Sequence, residues 1–470
     1  MPRPLALAAT ALGGLLAWLM VGTGFVNYDT AYTLLWGSDV AHGRLPDYGV
    51  PVAPTPHPLA TAVAAVLSPL GAGAEGAAVG LALVFLGALA YLTYALGAHW
   101  FGPAAGLLAA AIILTRQPVL SFGIRAYVDV PYLVCVLAAL LVEARRPRAG
   151  LPVLGLLGLA GLLRPEAWLF AFAYVGWILL DADRRRDRRE VLSLLGAAAA
   201  APVLWALADL AVTGNPLYSL TGTRENAEVL NRVTGLQNVP LTVPRRLGEI
   251  LREPVLLGAA IGGVLGVWRL RERAALPAAA GVAAIAAFCV LAAAGLPILG
   301  RYLLLPATLL AIFAGAGAFG WMALERGDPW RRRWMAAGVV AVLALAAFVP
   351  RQVERIDSLR SAIAVQHDIV GDLRALADPD RTPRACGPVA VPNHRPVPLL
   401  ALWLERPAAE IFSAQLVRPR EGFYVSPASP RVERNFTLDR NDPRRLTAEV
   451  PPGFEPVRRN TSWILFARCR

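Results

Sequence analysis

The sequence contains no lysine, so all 45 of its basic side chains are arginine. Charge is scarce altogether, since Asp, Glu and Arg make up 17% of the residues, whereas soluble domains carry about a quarter. The four cysteines do not show the C-x-x-C spacing that is typical of zinc sites. These absences exclude a soluble domain of ordinary composition and argue against structural zinc.

What the sequence has in abundance is apolar residues, which form 56% of the 470 residues and give a mean hydropathy of +0.51. Apolar runs recur from residue 5 to residue 349, and several could cross a hydrocarbon core of about 30 Å. The first run, 5–26, exceeds a signal-peptide core and lacks a clear cleavage site, which predicts an uncleaved membrane helix. The lysine-free, Ala-, Arg- and Pro-rich composition suggests a bacterium. We therefore predict a polytopic membrane protein.

The net charge of +12 comes from arginines that lie in short loops between the apolar runs. Such loops orient a membrane protein with its basic side in the cytoplasm, which argues against nucleic-acid binding. The clearest of them are EARRPRAG (143–150), DADRRRDRRE (181–190), RLRERA (269–274) and ERGDPWRRRW (325–334). With these loops inside, the N-terminus is cytoplasmic and the segment from Pro350 onwards is extracytoplasmic, in a protein of the plasma membrane.

The alternation of loops predicts about eleven spans within residues 1–350, with a first outer loop at 27–58. The run 59–71 is too short to span the membrane, so we expect an interfacial or re-entrant helix there. The fold class is then an all-α polytopic membrane protein with a small α+β extracytoplasmic domain at 351–470.

The extracytoplasmic domain should begin with an amphipathic helix after Pro350, since apolar residues recur there at helical spacing. The predicted strands are GPVAVP (387–392), PLLALWL (398–404), GFYVSP (422–427) and SWILFAR (462–468). Cys386 and Cys469 both fall in this domain, where an oxidising compartment would allow a disulfide. Cys135 and Cys289 fall in spans, which favours packed thiols.

The polar residues outside the arginine loops map to the outer ends of helices, and they make up the candidate site. These residues are Asp29, His57, Arg125, Asp129, Arg164, Glu166, Arg301 and Tyr302. Ionisable groups near hydrocarbon are costly and are therefore paired or functional. Arginines suit a phosphate group, while carboxylates could neutralise them, bind a divalent cation or act as a general base.

Plainer interpretations remain open for most of these positions. Arg125, like Arg116, is as consistent with a snorkelling anchor as with a phosphate ligand, and His57 could be a turn residue. Glu166 starts a helix, where the dipole alone favours an acid. Asp39 and Asp47 fit solvated loop or capping residues better than a site.

Two glycine-rich stretches superficially resemble dinucleotide-binding motifs, but a predicted strand precedes neither of them. They are GAGAEGAAVG (71–80) and GAGAFG (315–320). We expect both to pack membrane helices together.

An acid and five motifs, in order along residues 1–350, carry a resemblance to a known family. An acid after the first membrane helix is followed by GRLPDY and TPHPL, then by RAYVDVPY, LLRPEAW and GRYLLLP. This series resembles the GT-C superfamily of integral membrane glycosyltransferases, which includes protein O-mannosyltransferases, lipid A aminoarabinose transferases and mycobacterial arabinofuranosyltransferases.

The resemblance implies that Asp29 is the catalytic acid and Asp129 the second acid. It also implies that Arg301, with Arg125 and Arg164, holds the donor's phosphate. Many members pair two acids after the first helix, whereas Thr30 follows Asp29 here, and His57 interrupts the family's Pro-Pro-Leu element. The need for a metal is therefore left open.

The reaction implied by the resemblance is inverting transfer of a sugar from a polyprenyl-phosphate donor to an extracytoplasmic acceptor, with Asp29 as general base. A transporter or lipid flippase is the first alternative, but it predicts polar groups near the bilayer midplane and inverted repeats, which the sequence lacks. A GT-C-like scaffold without catalysis is the second, favoured by the missing acid beside Asp29.

Overall fold

The computed structural model describes residues 3–180, 186–380, 382–437 and 449–469. Part of the predicted cytoplasmic loop 181–190 and residues 438–448 of the predicted C-terminal domain therefore lie outside the described residues. The chain divides by packing into two compact units. The helical unit consists of residues 1–22, 79–207 and 233–359, and the α/β unit consists of 23–78, 208–232 and 360–470.

The structure is mostly helical. In chain order the helices are α1 Arg3–Val21, α2 Tyr28–Ala41, α3 Pro58–Leu67, α4 Ala74–Phe101, α5 Pro103–Thr115, α6 Gln117–Ile124, α7 Asp129–Arg145, α8 Leu151–Gly161, α9 Glu166–Leu179, α10 Arg188–Thr213, α11 Tyr218–Val229, α12 Val239–Leu251, α13 Glu253–Arg269, α14 Arg271–Ala293, α15 Leu304–Phe319, α16 Pro329–Leu376, α17 Val397–Trp403 and α18 Pro430–Val432.

The lengths and composition of these helices confirm a multi-pass membrane protein. Among the described residues, six helical stretches are long and apolar enough to cross a membrane, or up to eight if each of two bent pairs forms one span. The bent pairs are α5 with α6 and α12 with α13, and α8 and α9 are shorter apolar helices. The predicted number of eleven spans stays a prediction.

Helix α15 lies at the centre of the helical unit, where it packs against α5, α13 and α14. Glycines let α13 and α15 approach closely. A Cβ added to Gly262 would come within 1.8 Å of the carbonyl oxygen of Phe313, and one added to Gly317 would come within 2.1 Å of the carbonyl oxygen of Gly258. The predicted role of the glycine stretch 315–320 in helix packing is confirmed.

The same prediction is wrong for the stretch 71–80. A Cβ added to Gly71, Gly76 or Gly80 would meet no atom within 4 Å. Gly71 instead has a φ of +52°, in the 3₁₀ turn Ser68–Gly73 that separates α3 from α4. This glycine provides a left-handed backbone conformation. The short helix predicted at 59–71 is thus present as α3, and its place at the membrane interface stays a prediction.

The first outer loop contains a helix, α2, that the sequence analysis did not predict. Asn27 caps it, since its side-chain oxygen accepts hydrogen bonds from the backbone N–H groups of Asp29 and Thr30. Tyr32 and Trp36, one turn apart, are buried in the core of the α/β unit. That core also contains residues of α16, α17 and the sheet, so the first outer loop folds together with the C-terminal segment.

The described part of the C-terminal segment forms a five-stranded mixed sheet of order β2-β1-β3-β5-β4. The strands are β1 Val389–Val391, β2 Ile411–Ser413, β3 Gly422–Pro427, β4 Glu455–Arg459 and β5 Trp463–Arg468. β1 lies between β2 and β3 and is parallel to both, while β5 pairs antiparallel with β3 and β4. A small α+β element after the spans is therefore confirmed.

Three of the four predicted strands are present as β1, β3 and β5, but the segment PLLALWL is helix α17 rather than a strand. Pro398 stands in the first turn of α17, where its missing N–H is not needed. The leucines and alanine that follow are strong helix formers. A short apolar run without alternation does not distinguish a buried helix from a buried strand.

The amphipathic segment predicted after Pro350 is the second half of α16. Of the five apolar residues that mark the predicted helix, Leu359, Ile363, Ile369 and Leu373 are buried and Ile356 is half-buried. Pro350 lies inside α16 and does not end it. The predicted boundary at residue 350 marks where the chain should leave the membrane, and it stays a prediction. By packing, the helical unit ends at Leu359 and the α/β unit continues from Arg360.

The predicted disulfide between Cys386 and Cys469 is confirmed. It joins the segment before β1 to the residue after β5, and the two cysteines are 83 positions apart in the sequence. Cys135 in α7 and Cys289 in α14 are free, half-buried thiols. The two cysteines of the C-terminal segment are therefore bonded and the two in apolar helices are free, as the sequence predicted.

Candidate functional site

The eight predicted site residues fall into two groups. Asp29 and His57 belong to the α/β unit. The other six belong to the helical unit, namely Arg125, Asp129, Arg164, Glu166, Arg301 and Tyr302. The structure brings five of these six into one buried cluster and places Arg125 at its side. The approach of Asp29 and His57 to that cluster stays a prediction.

The centre of the cluster is Arg164, between two carboxylates that begin helices. Asp129 is the first residue of α7 and Glu166 the first of α9, and both are buried. The guanidinium of Arg164 donates to Asp129 Oδ1 through Nη1 and to Glu166 Oε1 through Nη2 and Nε, the last at 3.1 Å. Helix N-termini favour both acids, so the helix dipoles and the ion pairs with Arg164 act together.

Arg301 and Tyr302 close the cluster from the 3₁₀ turn before α15. The Nε atom of Arg301 lies 3.9 Å from Asp129 Oδ2. The guanidinium of Arg164 lies over the ring of Tyr302, 3.9 Å from its centroid. A cation so close to a desolvated aromatic face gains about 2 kcal/mol. Two arginines and two carboxylates leave the cluster close to electroneutral.

Tyr127 connects Arg125 to the cluster, and the sequence analysis did not single it out. The guanidinium of Arg125 lies 5.2 Å from its ring centroid and that of Arg301 lies 5.1 Å from it. Arg125 also donates through Nη2 to Ser121 Oγ at 2.7 Å. Two cations therefore share one aromatic ring. The tyrosine beside Asp129 in the RAYVDVPY motif was the available signal.

Asp29 occupies the first turn of α2, where the helix dipole stabilises a carboxylate. Its neighbour Tyr28 is held on several sides. The ring of Tyr28 meets those of Tyr32 and His394 edge to face, at centroid distances of 5.1 and 5.2 Å, and its hydroxyl donates to the carbonyl of Val52 at 2.9 Å. Burial raises the pKa of Tyr28, which keeps the phenol neutral.

His394 lies in a small group of polar side chains with Asn393 and Gln415. The backbone N–H of Arg395 donates to Asn393 Oδ1, so Asn393 Nδ2 is the atom that donates to Gln415 Oε1. Gln415 Oε1 also lies 3.1 Å from His394 Nδ1. Asn393 and Gln415 thus hold the imidazole ring that meets Tyr28.

Asn393 and His394 follow β1, and Gln415 follows β2. They lie at the carboxyl edge of the parallel strands, where open α/β sheets place their ligand sites. The sequence analysis missed this group because residues that follow short strands become neighbours only when the strands pair.

The structure favours the plainer interpretations at two other positions, Asp39 and Asp47. Asp39 pairs with Arg44 at 3.0 Å, and Asp47 accepts a hydrogen bond from the backbone N–H of Gly49 at 2.9 Å, as loop residues do. His57 is the residue before α3, directly ahead of Pro58, and its turn and site interpretations both stay open.

Arg116 is neither a snorkelling anchor nor exposed to a ligand. It is 5% exposed, and it donates to the carbonyl oxygens of Ile112 and Leu251, both at 3.1 Å, and to Thr115 Oγ1 at 3.2 Å. These carbonyls belong to the ends of α5 and α12, where the backbone bends. Arg116 thus satisfies helix-end carbonyl groups that water cannot reach.

Two carboxylates of the cluster are engaged by an arginine. Asp129 and Glu166 both pair with Arg164. Among the described residues, no group of three His, Cys, Asp or Glu side chains that could hold a metal ion comes together. The need for a metal stays open.

The sequence matches no protein-family profile and no curated protein sequence. Several solved structures are nevertheless similar over most of the chain. The ArnT structure from Cupriavidus metallidurans with bound undecaprenyl phosphate has a TM-score of 0.58 at 13% identity, covering 99% of this chain and 98% of that one. The Archaeoglobus fulgidus oligosaccharyltransferase with a tethered acceptor peptide has a TM-score of 0.57 at 12% identity, covering 92% and 70%.

A further structure of the archaeal enzyme, AglB with an inhibitory peptide and a dolichol-phosphate, has a TM-score of 0.52 at 12% identity and covers 86% and 64%. ArnT and AglB are both GT-C membrane glycosyltransferases. The chain has the GT-C fold. The resemblance seen in the sequence is thereby confirmed at the level of architecture, including the small sheet after the last long helix.

Proposed function

We propose that the protein is a membrane glycosyltransferase that moves a sugar from a polyprenyl-phosphate donor to an extracytoplasmic acceptor. The observation that carries this proposal is the buried cluster of Asp129, Arg164, Glu166 and Arg301, in a chain with the fold of ArnT and AglB. A buried set of acids and arginines at helix ends is costly to maintain and is typical of a substrate site.

Arg301 and Arg125 are the residues that we assign to the donor's phosphate. Both guanidinium groups lie on the ring of Tyr127, and guanidinium groups bind phosphate oxygens in a planar, two-point manner. Arg164 has a different role, because its nitrogens are already bonded to Asp129 and Glu166. It orients the two carboxylates.

The chemical step is a single displacement. The oxygen of the acceptor hydroxyl attacks the anomeric carbon and forms the new glycosidic bond, while the bond between that carbon and the phosphate oxygen breaks. Asp29 takes the hydroxyl proton, and polyprenyl phosphate leaves with the electron pair. The arginines stabilise the negative charge that grows on the phosphate, and the configuration at the anomeric carbon inverts.

The proposal is tested with purified protein, a panel of radiolabelled polyprenyl-phosphate sugars and a membrane extract as the source of acceptor. We expect transfer of one sugar by the wild type and none by Asp29→Asn, at equal expression and thermal stability. Asp357→Asn, which alters an exposed acid of α16, is the matched control and should keep full activity. Transfer by Asp29→Asn at the wild-type rate would remove Asp29 from the role of base.

The phosphate assignment has its own test. Arg301→Ala should raise the KM for the donor at least about tenfold, since a charge-assisted hydrogen bond contributes about 1.5–3 kcal/mol. The KM for the acceptor should change little. An unchanged KM for the donor would show that Arg301 does not hold the phosphate.

A further inference from the structure

The α/β unit contains a large cavity that is separate from the cluster described above. Its volume is about 1170 Å³, somewhat more than the roughly 300–1,000 Å³ of most small-molecule pockets. Its walls include the second half of α2, residues 68–75 at the turn before α4 and the start of α4, Arg374 of α16, and residues 401–408. The first outer loop and the C-terminal segment thus enclose it together.

The walls of the cavity carry ion pairs that remain accessible. Arg44 pairs with Asp39 at 3.0 Å, and Arg374 pairs with Glu75 at 3.3 Å. The side chains of the two arginines are 59% and 43% exposed. Glu75 also accepts a hydrogen bond from the indole N–H of Trp403 at 2.7 Å. These groups are held in place, yet a ligand could still reach them.

The charge of the lining is balanced, with four arginines and four carboxylates in all. A polyphosphate or a nucleic acid would be favoured by an excess of arginine, which this wall lacks. An uncharged ligand rich in hydroxyl groups fits better, because each hydroxyl can donate to a carboxylate and accept from a guanidinium. Trp403 and Leu45 add apolar surface. This combination is suited to a sugar chain.

The position of the cavity along α2 relates it to the proposed base. The lining residues of α2 run from Leu34 to Ala41, whereas Asp29 lies in the first turn of the same helix. At 1.5 Å per residue, the cavity begins about 8 Å and ends about 18 Å along the axis from Asp29. A single monosaccharide cannot cover that range, so an occupant that reaches the base must extend over several sugar units.

We infer that this cavity binds the glycan part of the acceptor, an uncharged oligosaccharide whose far end lies between α2 and residues 401–408. The inference rests on the proposed function and names the class of acceptor for it. The acceptor is then a cell-envelope glycan rather than a peptide or a simple lipid.

The test uses the full-length protein in nanodiscs and uncharged hexose tri- and tetrasaccharides as probes, with phosphorylated oligosaccharides and short hydroxyl-bearing peptides as comparison ligands. Binding is followed by calorimetry. Two variants alter the lining, Ala72→Trp to fill the space and Arg384→Ala to remove an exposed arginine. Their controls are Ala362→Trp and Arg418→Ala, at exposed positions outside the lining.

We expect the uncharged oligosaccharides to bind the wild type and both controls equally, and to bind each lining variant about tenfold more weakly. The inference is overturned if the wild type binds no oligosaccharide, if Ala72→Trp binds as well as the wild type, or if phosphorylated glycans or peptides bind more tightly than uncharged ones.

Consumption of the radiolabelled donor separates the two proposals. If Asp29→Asn abolishes transfer while the lining variants bind glycan normally, the cavity assignment fails and the glycosyltransferase proposal stands. If glycan binds in the cavity and no polyprenyl-phosphate sugar is consumed, the glycosyltransferase proposal fails.

Discussion

Replacement of Arg164 by methionine probes the buried cluster most directly, since it removes the charge and keeps much of the side-chain volume. The Arg164 side chain is 7% exposed and holds Asp129 and Glu166, which are 2% and 8% exposed. Breaking a buried ion pair costs about 3–5 kcal/mol, because the remaining charge is left without compensation. Here two carboxylates would be left, and the contact of Arg164 with Tyr302 would be lost as well.

A loss of this size is large for a folded protein, whose stability is about 5–15 kcal/mol. At about 2 °C for each kcal/mol, the midpoint of thermal unfolding should fall by about 6–10 °C. The measurement is tryptophan fluorescence of the purified protein on heating at a fixed scan rate. Arg418→Met, at an exposed arginine of the α/β unit, is the control and should leave the midpoint unchanged.

The triple variant Arg164→Met, Asp129→Asn, Glu166→Gln decides whether electrostatics explains the loss. It removes both carboxylate charges with little change in shape, so it should recover most of the lost stability while remaining inactive. If the single variant unfolds at the wild-type temperature, or if the triple variant unfolds as early as the single one, the ion cluster does not stabilise the fold as argued.

Three further predictions concern packing and covalent structure. Gly262→Ala should lower the unfolding midpoint by several degrees, because its Cβ would overlap the backbone of α15. Gly263→Ala is the control, since the Cβ added there meets no atom within 4 Å and should leave the midpoint unchanged. Equal effects of the two variants would contradict the close contact between α13 and α15. Cys386→Ser should lower the free energy of unfolding of the α/β unit by about 4 kcal/mol, because the disulfide joins cysteines 83 positions apart. Proteolysis of this unit under oxidising conditions should then be faster. Unchanged protease resistance would show that the disulfide does not stabilise the unit. His394→Ala should lower kcat, because the ring of Tyr28 would lose its contact with the imidazole. His394→Phe keeps an aromatic ring against Tyr28 and should restore most of the rate. An equal loss in both variants would exclude a packing role for His394.

Much of the architecture follows from local sequence. Long apolar runs predict α4, α10, α14 and α15 because hydropathy and length alone decide whether a helix can cross a bilayer. The amphipathic part of α16 and the strands β3 and β5 follow from side-chain periodicity in the same way.

Local patterns failed where composition was mixed or the run was short. Helix α2 combines aromatic, polar and acidic residues, so its apolar face is not apparent from the sequence. The face is recognised only in the structure, where Tyr32 and Trp36 lie in the core of the α/β unit. Helix α17 is seven residues long, too short for its spacing to separate helix from strand.

The candidate site shows the same division. The sequence alone indicated that Asp129, Arg164 and Glu166 matter, because charge at the end of an apolar run is costly. It could not show that Arg164 bonds to both acids, since Asp129 lies 35 residues away and meets it only when α7 and α8 have packed together.

The sequence by itself determined a membrane protein with a GT-C-like order of motifs, because spanning a bilayer depends on the composition of each segment separately. Only the tertiary structure decided which charges pair, that His394 lies against Tyr28, and that the predicted first outer loop encloses a cavity with the C-terminal segment. Those features depend on contacts between residues far apart in the chain, whose distances are set by the packing of whole helices and strands.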